Sequence, residues 1–244
     1  MPVRSPLRVP KPSWMGGAPR ADDQAPPTAT EGAPEVLPGA FIVLEGIDGT
    51  GKSHIAARVV AHLATRGITA ISTSEPTEGP TGRLLRQSAS ATMEPYEELF
   101  LFLTDRTEHT RWIRERLAEG NWVVCDRYAM SSAAYQGTAL EAEWEAKGQD
   151  SVKWIMDLQR PWWLEPDLTV LIVDDVDRCL ARVSDRGSPS KFERRAYLER
   201  VQRNYLRLAE TLDRVAVVDE PELERLLEAV LGRVEALLGS SQRV

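Results

Sequence analysis

The sequence predicts an α/β protein in which a five-stranded parallel sheet is flanked by helices. Five short apolar runs, each the length of a buried strand, alternate with segments whose apolar residues recur at helical spacing. The chain has 244 residues, enough to bury one sizeable core, and it shows no internal repeat. Parallel strands joined in this way require right-handed crossovers through the helices.

The first apolar run, residues 41–44, leads directly into a glycine-rich loop of the form G-x-x-x-x-G-K-S. The loop comprises Gly46, Ile47, Asp48, Gly49, Thr50, Gly51, Lys52 and Ser53. Such a loop turns its backbone N–H groups toward phosphate oxygens, and the next helix directs its positive end at the same anion. We expect Lys52 near the transferred phosphate and the Ser53 hydroxyl on Mg²⁺. The pattern predicts a three-layer P-loop NTPase fold.

Composition excludes several classes of protein. The net charge is −7 and the pI is near 5.2, which argues against a large nucleic-acid footprint. No apolar stretch is long enough to cross a bilayer, and the N-terminus lacks a signal-peptide apolar region. Cys125 and Cys179 lie in apolar runs, where reduced core thiols are expected. We therefore expect a soluble cytoplasmic protein with neither nucleic acid nor membrane as partner.

The first 38 residues differ in character from the rest. They hold nine of the sixteen prolines, almost no periodic apolar pattern, and balanced charges. Such a segment cannot bury enough surface to offset the entropy of ordering. We expect a disordered proline-rich tail over residues 1–38 and one P-loop domain over residues 39–244.

The second strand leads to a candidate binding turn. The helix after the loop is expected to end at Gly67, the usual residue beyond a helix C-terminus. Residues 68–72 are predicted to form the second strand, followed by a turn with Glu75 and Pro76. Ligands of open α/β sheets bind at the carboxyl ends of strands, so this turn belongs to the predicted site.

A long helix over residues 95–118 carries Phe102, Arg106 and His109 at i, i+4 and i+7, hence on one face. Periodicity alone favours a core role for Phe102 and a surface charge for Arg106. The alternative is a binding site for one planar base, which would contact the aromatic ring of Phe102 and the N–H donors of the Arg106 guanidinium.

The third strand, residues 122–125, is closed by Asp126 and Arg127. An apolar strand that ends in Asp downstream of a P-loop resembles a Walker B element, whose carboxylate reaches Mg²⁺ directly or through water. Arg127 can grip a second phosphate in bidentate fashion. If a helix follows, one of its faces carries three polar side chains, those of Ser132, Tyr135 and Gln136.

The second half of the chain supplies the remaining elements. Residues 138–165 are rich in tryptophan and give no clear assignment. Strands are predicted over 168–173 and 215–218, and helices over 177–185, over 198–212 and from Pro221. The basic segment at about 184–195 contains Gly and Pro, and it is either a solvated loop or a short basic lid over phosphates. Its cations include Arg186 and Lys191, and Arg182 lies one turn before Arg186.

Together these motifs resemble the thymidylate kinases, which are P-loop nucleoside monophosphate kinases. The matching pieces, from Phe41 to about Glu210, are FIVLEGIDGTGKS, the EP of SEPTEGPTGRLLR, LFLTDRTEH, DRYAMSSAAYQG, PDLTV and RVSDRGSPSKFERRAYLERVQRNYLRLAE. Each piece is short, but their order and spacing are specific. The resemblance implies a homodimer that transfers the γ-phosphate of ATP to dTMP with Mg²⁺.

The resemblance also implies roles for the matching residues. On the donor side the loop and Arg182 bind ATP, while Ser53 and Asp126 hold the metal. Catalytic cations are Lys52, Arg127, Arg186 and Lys191. Acceptor binding falls to Asp48, Glu75, Pro76, Phe102, Arg106, Arg127, Ser132, Tyr135 and Gln136. Phe102 would stack on thymine and Arg106 would bond its carbonyl edge, which reverses the assignment that periodicity favours. Tyr135 would occupy the place of a ribose 2′-hydroxyl.

The chain departs from the family pattern at several positions. Ser74 stands where a basic residue often precedes Glu-Pro, and His54 stands where Thr usually follows Lys-Ser. Ser190 and Lys191 replace Asp-Arg in the lid, and the tryptophan-rich stretch replaces a Gly-Arg-Gly run. Two alternatives therefore stay open. One is a kinase for another acceptor, such as dUMP, a modified pyrimidine nucleotide or a deoxynucleoside; the other is a nucleotide-binding regulator without turnover.

Overall fold

The computed structural model describes residues 39–88, 93–183 and 191–241. Within these ranges the strands are β1 (Phe41–Glu45), β2 (Ala70–Ser74), β3 (Trp122–Asp126), β4 (Leu168–Val173) and β5 (Val215–Asp219). The helices are α1 (Lys52–Thr65), α2 (Pro80–Ser88), α3 (Pro95–Ala118), α4 (Ala129–Glu145), α5 (Ser151–Gln159), α6 (Val176–Arg182), α7 (Lys191–Thr211) and α8 (Leu223–Ser241). The predicted tail, residues 1–38, lies outside the described residues.

The five strands form one parallel sheet in the order β2-β3-β1-β4-β5, which confirms the predicted class. The central strand β1 pairs with β3 on one side and with β4 on the other. The chain therefore leaves β1 toward one edge and later returns to the opposite side. Such a switch point opens a crevice at the carboxyl ends of the strands.

Both faces of the sheet are covered. Phe41 and Val43 of β1 pack into a core shared with α3, α4, α5 and α7, whereas Ile42 and Leu44 pack into a second core with α1 and α8. All four side chains are at most 1% exposed. The continuous apolar run of β1 is thus explained by burial on both faces, and the result is three layers.

Several boundaries differ from the sequence prediction. β2 starts at Ala70, two residues later than predicted, and reaches Ser74. α6 ends at Arg182, and Val183 is already extended, so the predicted helix over 177–185 is too long. The described end of the predicted lid, residues 191–195, is not a loop but the start of α7. No Gly or Pro interrupts residues 191–197, so the helix can begin earlier than predicted.

The tryptophan-rich stretch forms the end of α4 and all of α5. The side chain of Asp150 accepts a hydrogen bond from the Lys153 amide at 3.0 Å and so caps α5. Trp144 and Trp154 stack with ring centroids 4.5 Å apart and join the two helices. Among the described residues, no helix combines the length and apolar character needed to cross a membrane.

Candidate functional site

The phosphate-binding loop joins β1 to α1 at the switch point. Gly46, Gly49 and Gly51 have φ values of 141°, 89° and 87°, where side chains are rarely accommodated. A Cβ atom on Gly49 would lie 2.3 Å from the carbonyl oxygen of Cys179 on α6. The curvature of the loop and its packing against α6 therefore both require glycine.

Lys52 reaches back into the loop that precedes it. Its Nζ donates to the carbonyl oxygen of Ile47 at 2.8 Å, and the residue is 6% exposed. Burial, together with the neighbouring charge of Arg127, lowers the pKa of Lys52 to about 8. The loop carbonyl thus holds the ammonium group at the concave side where phosphate oxygens would lie.

The two predicted metal residues, Ser53 and Asp126, lie in contact. The Ser53 hydroxyl donates to Asp126 Oδ2 at 2.5 Å, which links the first turn of α1 to the end of β3. The other carboxylate oxygen, Oδ1, is buried and has no hydrogen-bond partner among the described residues. A hydroxyl oxygen beside an unpartnered carboxylate oxygen fits Mg²⁺, which takes few protein ligands and completes its shell with phosphate oxygens and water. Among the described residues, no cluster of three or more His, Cys, Asp or Glu side chains could hold a metal ion.

Arg127 lies directly after β3 in a left-handed conformation, with φ 74°. Its Nη2 is 2.6 Å from Asp48 Oδ1, and its guanidinium lies 5.0 Å from the centre of the Tyr135 ring. The Tyr135 hydroxyl donates to the second oxygen of Asp48 at 3.0 Å. Burial would raise the pKa of Asp48, but the charges of Arg127 and Lys52 outweigh it and hold that pKa below its usual value. The loop, β3 and α4 therefore converge on one charged cluster.

Glu45, which was not predicted, ties this cluster to the sheet. It ends β1, is 1% exposed, and accepts from the Tyr128 amide at 3.0 Å and the Ser131 hydroxyl at 2.6 Å. It also accepts from the Tyr205 hydroxyl of α7 at 3.1 Å. Burial raises the pKa of Glu45 above its usual value. These bonds fix the N-terminus of α4 beside the phosphate loop.

The Arg106 side chain is buried and hydrogen-bonded within the protein. The assignment as a surface charge, which periodicity alone favoured, is therefore wrong. It is 2% exposed and donates through Nε to Glu75 Oε2 at 2.8 Å. One terminal nitrogen donates to Ser132 Oγ at 2.9 Å and to Gln159 Oε1 at 2.6 Å, and the other lies 2.6 Å from Glu75. His109 holds the second oxygen of Glu75 at 3.0 Å. These contacts account for four of the five N–H groups of Arg106.

A cavity of about 460 Å³ collects the predicted acceptor residues. All nine line it: Asp48, Glu75, Pro76, Phe102, Arg106, Arg127, Ser132, Tyr135 and Gln136. A second cavity, of about 340 Å³, shares Glu75, Pro76 and Arg127 with the first and extends to Ser53 and Asp126. The two predicted metal residues therefore lie in a cavity that shares wall residues with the acceptor cavity.

The donor side has a smaller cavity, of about 210 Å³, lined in part by Gly49, Gly51, His54 and Arg182. Arg182 donates to the Gly49 carbonyl oxygen at 3.0 Å and to Asp174 at 2.6 Å. The structure thus places Arg182 against the phosphate loop; its contact with ATP stays a prediction. Arg186 lies outside the described residues, as does the side chain of Lys191.

Several residues of the site were missed in the sequence. Arg86 and Glu98 also line the acceptor cavity, while Glu45 and Gln159 support it from behind. An acidic residue at the end of an otherwise apolar strand was a usable signal for Glu45. Gln159 gave none, because it reaches Arg106 from 53 positions away.

The fold and these cavities define a P-loop nucleotide kinase, with a phosphate loop between two separate binding sites. A sequence model of the thymidylate kinases matches residues 44–230. A probable thymidylate kinase of Methanosarcina barkeri is 35% identical over 193 residues, which cover 78% of this chain and 92% of the relative. The thymidylate kinase of Methylococcus capsulatus is 36% identical and is covered over 98% of its length, against 83% of this chain. The chain belongs to the thymidylate kinase family, whose members are ATP-dependent nucleotide kinases.

A solved structure agrees on the fold. The thymidylate kinase of Candida albicans superimposes with a TM-score of 0.65 at 21% identity, over 81% of this chain and 92% of the other. At this identity the match concerns the arrangement of strands and helices, and it agrees with the five-stranded parallel sheet described above.

Proposed function

We propose that this protein transfers the γ-phosphoryl group of ATP to dTMP, giving ADP and dTDP. The observation that carries this proposal is the single cavity lined by all nine predicted acceptor residues, adjoining the phosphate loop. Phosphoryl transfer asks little covalent chemistry of a protein. It requires two anionic groups in line and cations to neutralise the developing charge.

On the donor side the loop amides and Lys52 would hold the β- and γ-phosphates, with Arg182 beside the base. The short link between Ser53 and Asp126, and the unpartnered Asp126 oxygen, support a magnesium site there. When bound, Mg²⁺ would neutralise charge on the phosphate oxygens. Arg186 and Lys191 would add lid cations, in line with their positions in the basic segment.

On the acceptor side Arg127 would bind the phosphate of dTMP with donors that it now directs at Asp48. The Asp48 carboxylate would then accept from the sugar 3′-hydroxyl. No general base is needed, because the attacking phosphate oxygen is already ionised. Lys52 and Arg127 thus approach the transferred group from the donor and acceptor sides, respectively.

The base would stack on Phe102, with its carbonyl edge toward Arg106. Four N–H groups of Arg106 are engaged in the protein, which leaves one donor and no acceptor for a base. Opposing that donor with the amino group of cytosine costs roughly 1–3 kcal/mol, or about ten- to a hundredfold in specificity. We therefore expect the order dTMP, then dUMP, then dCMP, with UMP poor because the Tyr135 ring occupies the space of a 2′-hydroxyl.

We also propose a cytoplasmic homodimer. Leu84 on α2 and Phe100 on α3 are 46% and 52% exposed, and these helices pack against each other. Large exposed apolar side chains on neighbouring helices support a contact between copies. Light scattering on a sizing column would give twice the mass of the chain; a monomer at micromolar concentration would contradict the dimer.

The decisive experiment is a coupled ADP-release assay with ATP and Mg²⁺ across a panel of nucleoside monophosphates and deoxynucleosides. We expect the largest kcat/KM with dTMP. Equal use of dCMP or UMP would contradict the acceptor assignment, and ATP binding with no turnover for any acceptor would contradict kinase activity itself.

A further inference from the structure

Glu98 lines the acceptor cavity, and no role in the reaction described above requires it. It lies on α3, one helical turn before Phe102, and is partly exposed. Its Oε2 accepts a hydrogen bond from Nε2 of Gln136 on α4 at 3.0 Å. Gln136 is 5% exposed and lines the same cavity. The pair therefore joins a carboxylate to an amide at the wall where the base would lie.

A carboxylate fixes the direction of the amide. Ionised Glu98 has only acceptor atoms, so Gln136 must present its nitrogen to it. Turning the amide over would set its oxygen against the carboxylate, two acceptors without a proton between them. The Gln136 amide oxygen therefore points away from Glu98, and it has no partner among the described residues.

The Gln136 amide oxygen, held in this direction, complements thymine and uracil but not cytosine. Thymine and uracil carry an N3–H donor beside a carbonyl acceptor, whereas cytosine carries an N3 acceptor beside an amino donor. With Arg106 as the donor and the Gln136 oxygen as the acceptor, the wall complements thymine at both positions. A cytosine ring would meet a mismatch at both.

We propose that Glu98 is a positioning residue that sets acceptor preference by holding the Gln136 amide with its oxygen toward the base. This inference rests on the proposed dTMP kinase activity and assigns one source of its selectivity. Without the carboxylate, the amide could turn and donate to N3 of cytosine, and part of the discrimination would be lost.

The test is Glu98→Gln, which keeps the size of the side chain but pairs with Gln136 in either amide direction. We expect the ratio of kcat/KM for dTMP to that for dCMP to fall roughly tenfold, mostly through KM. The ratio is measured within one preparation, so a partly unfolded sample does not change it. Glu115→Gln, the same change at an exposed position of α3, should leave the ratio as in the wild type.

A double-mutant cycle with Gln136→Ala identifies the route. In the Gln136→Ala background, adding Glu98→Gln should leave the ratio unchanged, because no amide remains to be oriented. An unchanged ratio in Glu98→Gln alone, or a tenfold fall that persists without Gln136, would overturn the inference. Wild-type protein that fails to phosphorylate dTMP would instead refute the proposed function, and the inference with it.

Discussion

The phosphate loop and the acceptor cavity reach their geometry by different routes. In the loop, the groups expected to meet phosphate lie within eight consecutive residues, and Lys52 bonds a carbonyl only five positions away. In the acceptor cavity, Arg106 reaches Glu75 across 31 positions and Gln159 across 53. One site is encoded in local backbone conformation, while the other exists only after the turn after β2 and helices α3, α4 and α5 have packed.

The difference should appear when each site is perturbed. The Lys52 side chain can be removed with little effect on packing, because its hydrogen-bond partners, Ile47 and Thr50, belong to the same loop. The buried partners of Arg106 come from three elements, so removing one should cost stability as well as activity. Activity and stability should separate in the loop and fall together in the cavity.

The largest effect on turnover is expected for Lys52→Ala. Losing the ammonium at the phosphate should lower kcat on the order of 10²-fold or more, as with other electrostatic clamps. Among the described residues, Lys52 makes hydrogen bonds only to loop atoms, so the midpoint of urea unfolding should be kept or slightly raised. Lys153→Ala, at a position 72% exposed, serves as the matched control for both measurements. Near-normal ADP release by Lys52→Ala would refute the assignment of the loop.

Glu75→Gln should give the largest effect on stability. Glu75 and Arg106 are each 2% exposed as side chains, so the substitution leaves a buried guanidinium without its counter-charge. Breaking such a pair costs about 3–5 kcal/mol. Urea unfolding measures the loss, and kcat/KM for dTMP should fall with it.

The control for Glu75→Gln is Glu143→Gln, which breaks a surface pair with Lys147. Exposed pairs contribute about 0–1 kcal/mol, so that variant should unfold close to the wild type. Equal stability of Glu75→Gln and Glu143→Gln would show that the Arg106 network does not hold the cavity together.

The same contrast explains what the sequence could predict. The glycine-rich loop, the buried strands and the Asp126–Arg127 end of β3 follow from spacing within a few residues. The nine acceptor residues came from a resemblance across scattered motifs, and periodicity alone gave the opposite role to Arg106. A helical repeat shows which residues share a face but not what lies opposite, and the face of Arg106 is met by Glu75 and Gln159.

Residues 138–165 and helix α2 were not predicted from the sequence for a similar reason. Residues 138–165 contain helical signals, including Asp150 as an N-cap, but the stacking of Trp144 on Trp154 is a tertiary contact. α2 is a single short helix of nine residues, and it contains Gly82. A short helix of this kind depends on packing more than on its own propensity, so local sequence gives little warning of it.

An intermediate effect is expected at Tyr135, where the two sites meet. Tyr135→Ala opens the space beside the sugar and should narrow the gap in kcat/KM between dUMP and UMP, by about tenfold. Tyr135→Phe keeps the ring but loses the hydrogen bond to Asp48, so it should leave that gap unchanged while lowering kcat/KM for dTMP a few-fold. Equal gaps in the Ala and Phe variants would show that the ring does not exclude ribose.

The smallest effect is expected at Asp174. It tests whether the phosphate loop, unlike the acceptor cavity, is independent of long-range contacts. Asp174 is 5% exposed and holds Arg182 against the phosphate loop, so the donor side also has a long-range support.

Burial opposes ionisation, but Arg178 and Arg182 outweigh it and hold the pKa of Asp174 below its usual value. A carboxylate with a lowered folded-state pKa stabilises the protein above the unfolded-state pKa, near 4, and that contribution is lost as the pH falls further. Both arginines are about half exposed, so Asp174→Asn should cost only about 1 kcal/mol at pH 7. The difference in unfolding free energy between wild type and variant should therefore shrink as the pH falls below about 4. KM for ATP should rise a few-fold while KM for dTMP stays constant. A pH-independent difference, or a rise in KM for dTMP instead, would leave the phosphate loop as a purely local site.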